Sequence, residues 1–224
     1  MNSIVISIGG SIVVSDEIKG SYFKKLNELL TKHSKNEKIY VVVGGGKTAR
    51  KYIHLGREIG LSEKTLDELG IESTRLNAKF LTKVLENTNK DIPSTADEAK
   101  NKSAPIVIMG GTTPGHSTDM VGAELAYKSN SSKYIIATNV DGIYTKDPNK
   151  FSDAEKISEI KIEDLVEKYG TDWKSAGKNI VIDGPALKII NDHRIPTFVL
   201  NGNNLDEIKK VLNNKKFNGT KIKI

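Results

Sequence analysis

Glycine clusters at three places in this chain, Gly9-Gly10, Gly44-Gly45-Gly46 and Gly110-Gly111, each directly after a short β-branched run. Glycine at a strand end lets backbone N–H groups approach an anion, and the N-terminus of the next helix adds its dipole. One such cluster needs no more than a tight turn to explain it. Three on successive strands point to a polyphosphate cradle. Lys47 and Arg50 open the helical pattern after the middle cluster. Side chains three apart share a helix face, so both are expected to point toward a phosphate at the helix tip.

Residues Gly110-Gly111-Thr112-Thr113-Pro114-Gly115-His116-Ser117-Thr118-Asp119 form the most informative stretch. Ser117 or Thr118 can cap the following helix, with Asp119 in its first turn. Capping uses one hydroxyl, and this stretch holds four. Hydroxyls and backbone N–H groups together suit a phosphate monoester. His116 is a further contact candidate. A third segment, Thr138-Asn139-Val140-Asp141-Gly142-Ile143-Tyr144-Thr145-Lys146-Asp147-Pro148, reads as a turn and a hairpin. Its position after two phosphate-type loops gives it interest.

Two better-known glycine motifs fit less well. Gly46-Lys47-Thr48 looks like the end of a P-loop, but Val41 stands where that motif requires its first glycine. Gly44, Gly46 and Ala49 match the dinucleotide fingerprint. The acid it needs should end the next strand, whereas Glu63, Asp67 and Glu68 fall in a helical pattern.

These loops must be carried by an alternation of strands and helices, which predicts a parallel sheet covered by helices. Strands are expected at residues 4–8, 39–43, 106–109, 134–138, 197–200 and 220–224, with a short hairpin after Gly142. Helices are expected from about Ser21, Lys47, Ser117, Ile162, Asp183 and Leu205, and over most of 61–87 with a break near Gly70. Thr95 and Glu98 have capping-box spacing before another short helix. An irregular loop is expected from Gly170 to Gly177, before Ile180-Val181-Ile182-Asp183. One domain is expected over residues 1–224, with two lobes of about 1–120 and 121–224 meeting near Gly115 to Met120.

The 224 residues contain no cysteine, which excludes disulfides and thiolate chemistry and suits a reducing cytoplasm. No apolar run reaches the roughly 18 residues of a membrane helix, and no signal peptide is evident. Net charge is +6, but aromatics are only 6% and do not interleave with the basic residues, which argues against nucleic acid. No histidine or carboxylate cluster suggests a protein-only metal site.

Ile8-Gly9-Gly10-Ser11, the run Gly44 to Arg50, and Thr138-Asn139-Val140-Asp141-Gly142-Ile143-Tyr144 together resemble the amino-acid kinase family. Gly110 to Asp119 and Asn139 to Pro148 bring the chain nearer to the archaeal UMP kinases of that family. The resemblance runs from Ile4 to the C-terminal strand. It implies a three-layer αβα sandwich around a mainly parallel sheet, and transfer of the γ-phosphoryl group of ATP to UMP. It also implies ATP phosphates at Gly9, Gly10, Ser11, Gly46 and Arg50, and the adenosine end at Thr138, Asn139, Tyr144 and Asp147. UMP is implied at Gly45, Asp67, Thr112, Thr113, Pro114, Gly115, His116, Ser117 and Thr118. Mg²⁺ would come with ATP, Asp119 offering a carboxylate or orienting lysines, and a homohexamer in the cytoplasm is expected. The helix over 62–87 could supply core or subunit interface.

One departure stands out. Many family members carry a lysine two positions before the first of the two glycines, where this chain has Ser7. Lys47, Arg50 and Lys188 are the candidates to replace its charge. Within the fold, an isopentenyl phosphate kinase typically has a histidine soon after the glycine triplet, and here Lys47-Thr48-Ala49-Arg50 stands instead. Acetylglutamate and aspartate kinases differ in the acceptor loop. A non-catalytic oxyanion-binding or storage protein is favoured by Ser7 and disfavoured by Tyr144 and Asp147.

Overall fold

The computed structural model describes residues 2–15, 19–148, 150–172 and 181–224. Strand β1 (Ser3–Ile8) is buried at every position, as a central strand covered on both faces must be. It pairs in parallel with β2 (Lys38–Val43) on one side and β4 (Lys133–Thr138) on the other. Beyond β2 lies β3 (Ile106–Met109). Beyond β4 lie β8 (Thr197–Asn201), β9 (Gly219–Lys223) and β7 (Glu159–Lys161). Only the β8–β9 pairing in this sheet is antiparallel. The hairpin expected after Gly142 is a separate pair, β5 (Ile143–Tyr144) with β6 (Lys156–Ile157).

The alternation of side chains along the strands divides the core by sheet face. Ile4, Ile6 and Ile8 pack with Val41, Val43 and Ile108 under α2 (Gly20–His33), α4 (Glu63–Val84) and α9 (Leu205–Leu212). Val5, Val42, Met109, Tyr134, Ile136 and Val199 pack against α5 (Ala96–Asn101), α6 (Thr118–Lys128), α7 (Ile162–Tyr169) and α8 (Gly184–Asp192). The three-layer αβα sandwich with a mainly parallel sheet is thus the observed architecture. Each core draws on residues from both halves of the chain.

Helix starts are chemically marked. Ser62, Thr95, Ser117, Asp183 and Asn204 each accept a first-turn N–H with the side chain. At Thr95 the reciprocal bond shifts by one residue, because Glu98 Oε2 accepts from the N–H of Ser94.

Three expectations need correction. The break near Gly70 does not occur, and α4 runs through it. Glycine costs a helix only about 1 kcal/mol, and α4 recovers that by packing against the sheet and against α3 (Gly46–Glu58). A short helix, α1 (Gly10–Val13), follows the first glycine pair directly. Strand β7 was not expected: only one of its three side chains is half-buried, so it carries little apolar signal. Of the loop expected from Gly170 to Gly177 and the run opening at Ile180, residues 173–180 lie outside the described residues.

Candidate active site

The sheet order reverses direction at β1 and β4: the chain builds outward through β2 and β3, then returns to place β4 on the other side. Ligands of open α/β sheets bind beyond the carboxyl ends of strands at such a point. Here those ends are Gly9-Gly10 after β1 and Asn139 after β4.

The first two glycine loops touch each other backbone to backbone. A Cβ on Gly10 would stand 2.2 Å from Gly46 N and 2.3 Å from Gly44 O. Gly46 has φ +64°, and a Cβ there would stand 2.4 Å from Gly10 C. Any side chain at either position would separate the loops.

They form one wall of a hollow of about 510 Å³. Gly9, Gly10, Ser11, Gly45, Gly46, Arg50, Asp67, Thr113, Gly115, His116, Ser117, Thr118, Asp119, Thr138 and Asn139 all line it. Within it, Nδ1 of His116 is buried with no hydrogen-bond partner, the only such side-chain atom among the described residues. His116 lines the hollow, but this nitrogen is itself closed off from solvent, so it is not the atom that presents the residue to a ligand there. Thr112 and Pro114 belong to the same loop but do not line the hollow.

A second hollow of about 440 Å³ has apolar walls from Ile143, Leu165, Val181, Ile182 and Leu187, with Tyr144, Asp147 and Tyr169 at its polar side. Thr138, Asn139 and Val181 line both hollows, so the two adjoin there.

Helix α4 ties the loops together through one stripe of residues at spacings of three and four: Asp67, Gly70, Thr74 and Asn77. Asp67 Oδ2 accepts from Gly115 N at 2.8 Å, and Thr74 Oγ1 accepts from Gly111 N at 2.6 Å. Asn77 Nδ2 donates to Gly44 O at 2.8 Å and Gly45 O at 3.3 Å. The sequence reading missed Thr74 and Asn77. Their signal was a polar pair on the inner face of a helix whose neighbours Ala78 and Leu81 are core, where unpartnered polar groups are costly.

On the floor, the Ser7 hydroxyl donates to Asp119 Oδ1 at 3.0 Å, and the Tyr134 hydroxyl donates to the Asp119 carbonyl at 2.9 Å. Burial and the nearby Asp183 carboxylate push the Asp119 carboxyl up to about 7, against the Ser7 hydrogen bond that pulls it down. Asp183 caps α8 by accepting from Ala186 N at 2.9 Å, and it also accepts the Ser117 hydroxyl. Ser117 in turn caps α6, accepting from Met120 N at 2.9 Å. The helix starts α6 and α8 are therefore joined at this floor.

Two of the expected cations are not brought here. Lys188 donates to Asp192 at 2.6 Å, has 59% of its side chain exposed, and lines neither hollow. At about 100° per residue, a helix that turns Leu187 into the core must turn Lys188 outward. Lys47 is exposed and also lines neither hollow, while Arg50 does line the first. Residues three apart on a helix differ by about 60° in direction, enough to separate them here.

The amino acid kinase family description matches residues 2–201. The chain belongs to the amino acid kinase family. It is 40% identical over 215 residues to the uridylate kinase of Thermoplasma volcanium, covering 95% of this chain and 94% of that one. It is likewise 40% identical over 222 residues to the uridylate kinase of Methanobrevibacter smithii, covering 98% of each. The crystal structure of uridylate kinase from Archaeoglobus fulgidus superposes with a TM-score of 0.86 at 37% identity, over 98% of this chain and 99% of the other. In this member of the amino acid kinase family, the three glycine loops line one hollow, and the second hollow adjoins it at Thr138 and Asn139.

Proposed function

We propose that this protein transfers the γ-phosphoryl group of ATP to UMP, giving ADP and UDP. The observation that carries the reading is the meeting of the two hollows at Thr138 and Asn139: a pocket with apolar walls lies directly beside a cleft walled by three glycine loops. Full-length relatives about 40% identical that are named uridylate kinases support the choice of acceptor.

Adenosine occupies the pocket walled by Ile143, Leu165 and Leu187, near Tyr144 and Asp147. Its phosphates lie along Gly9, Gly10, Ser11, Gly46 and Arg50. UMP occupies the other end, with Gly45, Asp67, Thr113, Gly115, His116, Ser117 and Thr118 about it. In this division the acceptor contacts come from residues before 120 and the adenosine contacts from residues after it.

Phosphoryl transfer asks for alignment and charge neutralisation more than for covalent chemistry. The acceptor phosphate is already ionised near neutral pH, so no general base is needed. With Ser7 in place of a lysine and Lys188 turned outward, neutralisation among the described residues rests on backbone N–H groups and Arg50, with Mg²⁺ carried by ATP. Among the described residues no group of three or more histidines and carboxylates could hold a metal. The Asp119–Asp183 pair fits Mg²⁺ held mainly by phosphate and water.

A homohexamer in the cytoplasm completes the proposal. It is supported by exposed apolar side chains on α4 and on and just after α3: Tyr52, Leu55, Ile59, Leu76 and Phe80. No helix among the described residues is long and apolar enough to cross a membrane.

The test is ADP release from MgATP with UMP, CMP, dTMP, isopentenyl phosphate or no acceptor. Turnover is expected with UMP. Turnover only with another acceptor overturns the assignment of the 112–118 loop. ATP binding without any turnover would leave a nucleotide-binding protein.

A further inference from the structure

Asn77 lies beneath the phosphate hollow and lines no part of it, at 3% exposure. Its amide nitrogen holds the carbonyls of Gly44 and Gly45. In a trans peptide the C=O and the following N–H point in opposite directions. A carbonyl drawn down to α4 therefore turns the next N–H away from α4, toward the hollow that these glycines line. The N–H groups so directed belong to Gly45 and Gly46.

Close backbone packing against Gly10 holds these peptides from one side, and few hydrogen bonds add to it. Gly44 N donates to Ile8 O at 2.9 Å and closes the β ladder, and its carbonyl lies against Gly10 and accepts from Asn77. Gly45 O accepts only a long first-turn bond, from Ala49 N at 3.3 Å. Glycine permits a peptide to turn over at small cost, so a loop of three needs an outside hold. The need is for a donor: a carboxylate of the same size would repel both carbonyls, and leucine would fill the space and bond to neither.

We propose that Asn77 is a positioning residue for phosphoryl transfer, setting the Gly44 and Gly45 peptides so that the next two N–H groups face the phosphates. This rests on the kinase reading above. The experiment compares wild type with Asn77→Leu and Asn77→Asp. It measures thermal midpoints, ADP affinity by calorimetry, and kcat and KM for both substrates from pH 6 to 8.5. Asn77→Leu should stay folded and lose about tenfold or more in kcat/KM, with weaker ADP binding, the scale set by removing preorganised donors. Asn77→Asp should be impaired at pH 8 and recover relative to wild type as pH falls, because a protonated carboxyl can again donate to Gly44 O.

The proposal is overturned if Asn77→Leu stays within twofold of wild type in both kcat/KM and ADP affinity. It is equally overturned if Asn77→Asp tracks wild type across the pH range. Should the leucine variant fail to fold, the pH comparison decides. A wild type inactive with UMP would sink the kinase reading, and the ADP affinities would still decide the role of Asn77. A wild type that binds no ADP overturns both.

Discussion

Asp119 and Lys188 show how the surroundings of a single side chain set its part. Among the described residues Asp119 is acted on by the Ser7 hydroxyl and a second carboxylate and by no cation, and it holds its proton to about pH 7. In the unfolded chain the same carboxyl gives up its proton near its ordinary value, about 3.9. Between those two values the folded state binds more protons than the unfolded, so stability falls as pH rises from about 4 to 7 and levels off above. Asp119→Asn, which cannot titrate, should remove this part of the slope. Thermal midpoints of the two proteins should diverge with rising pH, the variant becoming the more stable, and then run parallel above pH 7. Lys188 has the opposite standing: its partner is Asp192, in an exposed pair one helical turn away. Such pairs contribute about 0–1 kcal/mol. Lys188→Ala should therefore leave UMP-dependent ADP release within about twofold of wild type, and a loss of a hundredfold would return Lys188 to the transfer site.

At the scale of elements, α4 matters most, because it is both core and clamp. Leu66, Ala78 and Leu81 are buried, while Asp67, Thr74 and Asn77 reach the loops from the adjoining face. Gly70 lies between them. A Cβ there would meet only Ile53 Cδ1, at 3.4 Å, an ordinary contact. Gly70→Ala should thus stabilise the protein by up to about 1 kcal/mol through helix propensity, read as a rise of a few degrees in thermal midpoint.

Most elements were legible in the sequence because buried parallel strands announce themselves as unbroken runs such as Tyr40-Val41-Val42-Val43, three of them stopped by glycine pairs or triplets. The glycine loops and the cap at Ser117 were legible for the same local reason. The misses are nonlocal. Whether α4 continues through Gly70 depends on its packing against α3. Lys188 and Lys47 took directions that spacing along the chain does not fix. Thr74 and Asn77 owe their role to loops that lie some 30 to 40 residues away in sequence and next to them in space.

The molecule as a whole presents one seven-stranded sheet with a small separate hairpin, two cores and a cleft over the sheet's switch point, with exposed apolar side chains on α4 and on and just after α3. Ile59 is 77% exposed there. If these side chains join subunits in the proposed hexamer, Ile59→Asp should lower the mass seen by light scattering after size exclusion. A wild type that runs as a monomer would refute the assembly outright.

The adjacency of the two hollows at Thr138 and Asn139 has a consequence for inhibition. A single molecule carrying adenosine and uridine on one oligophosphate chain would engage both ends of the cleft at once. Its second half would bind as a tethered group at high effective concentration, not as a free ligand from solution. Such a compound should exceed the affinity of either nucleotide by two or more orders of magnitude, about the gain that tethering gives, and its optimal phosphate count would act as a ruler for the distance across the shared wall.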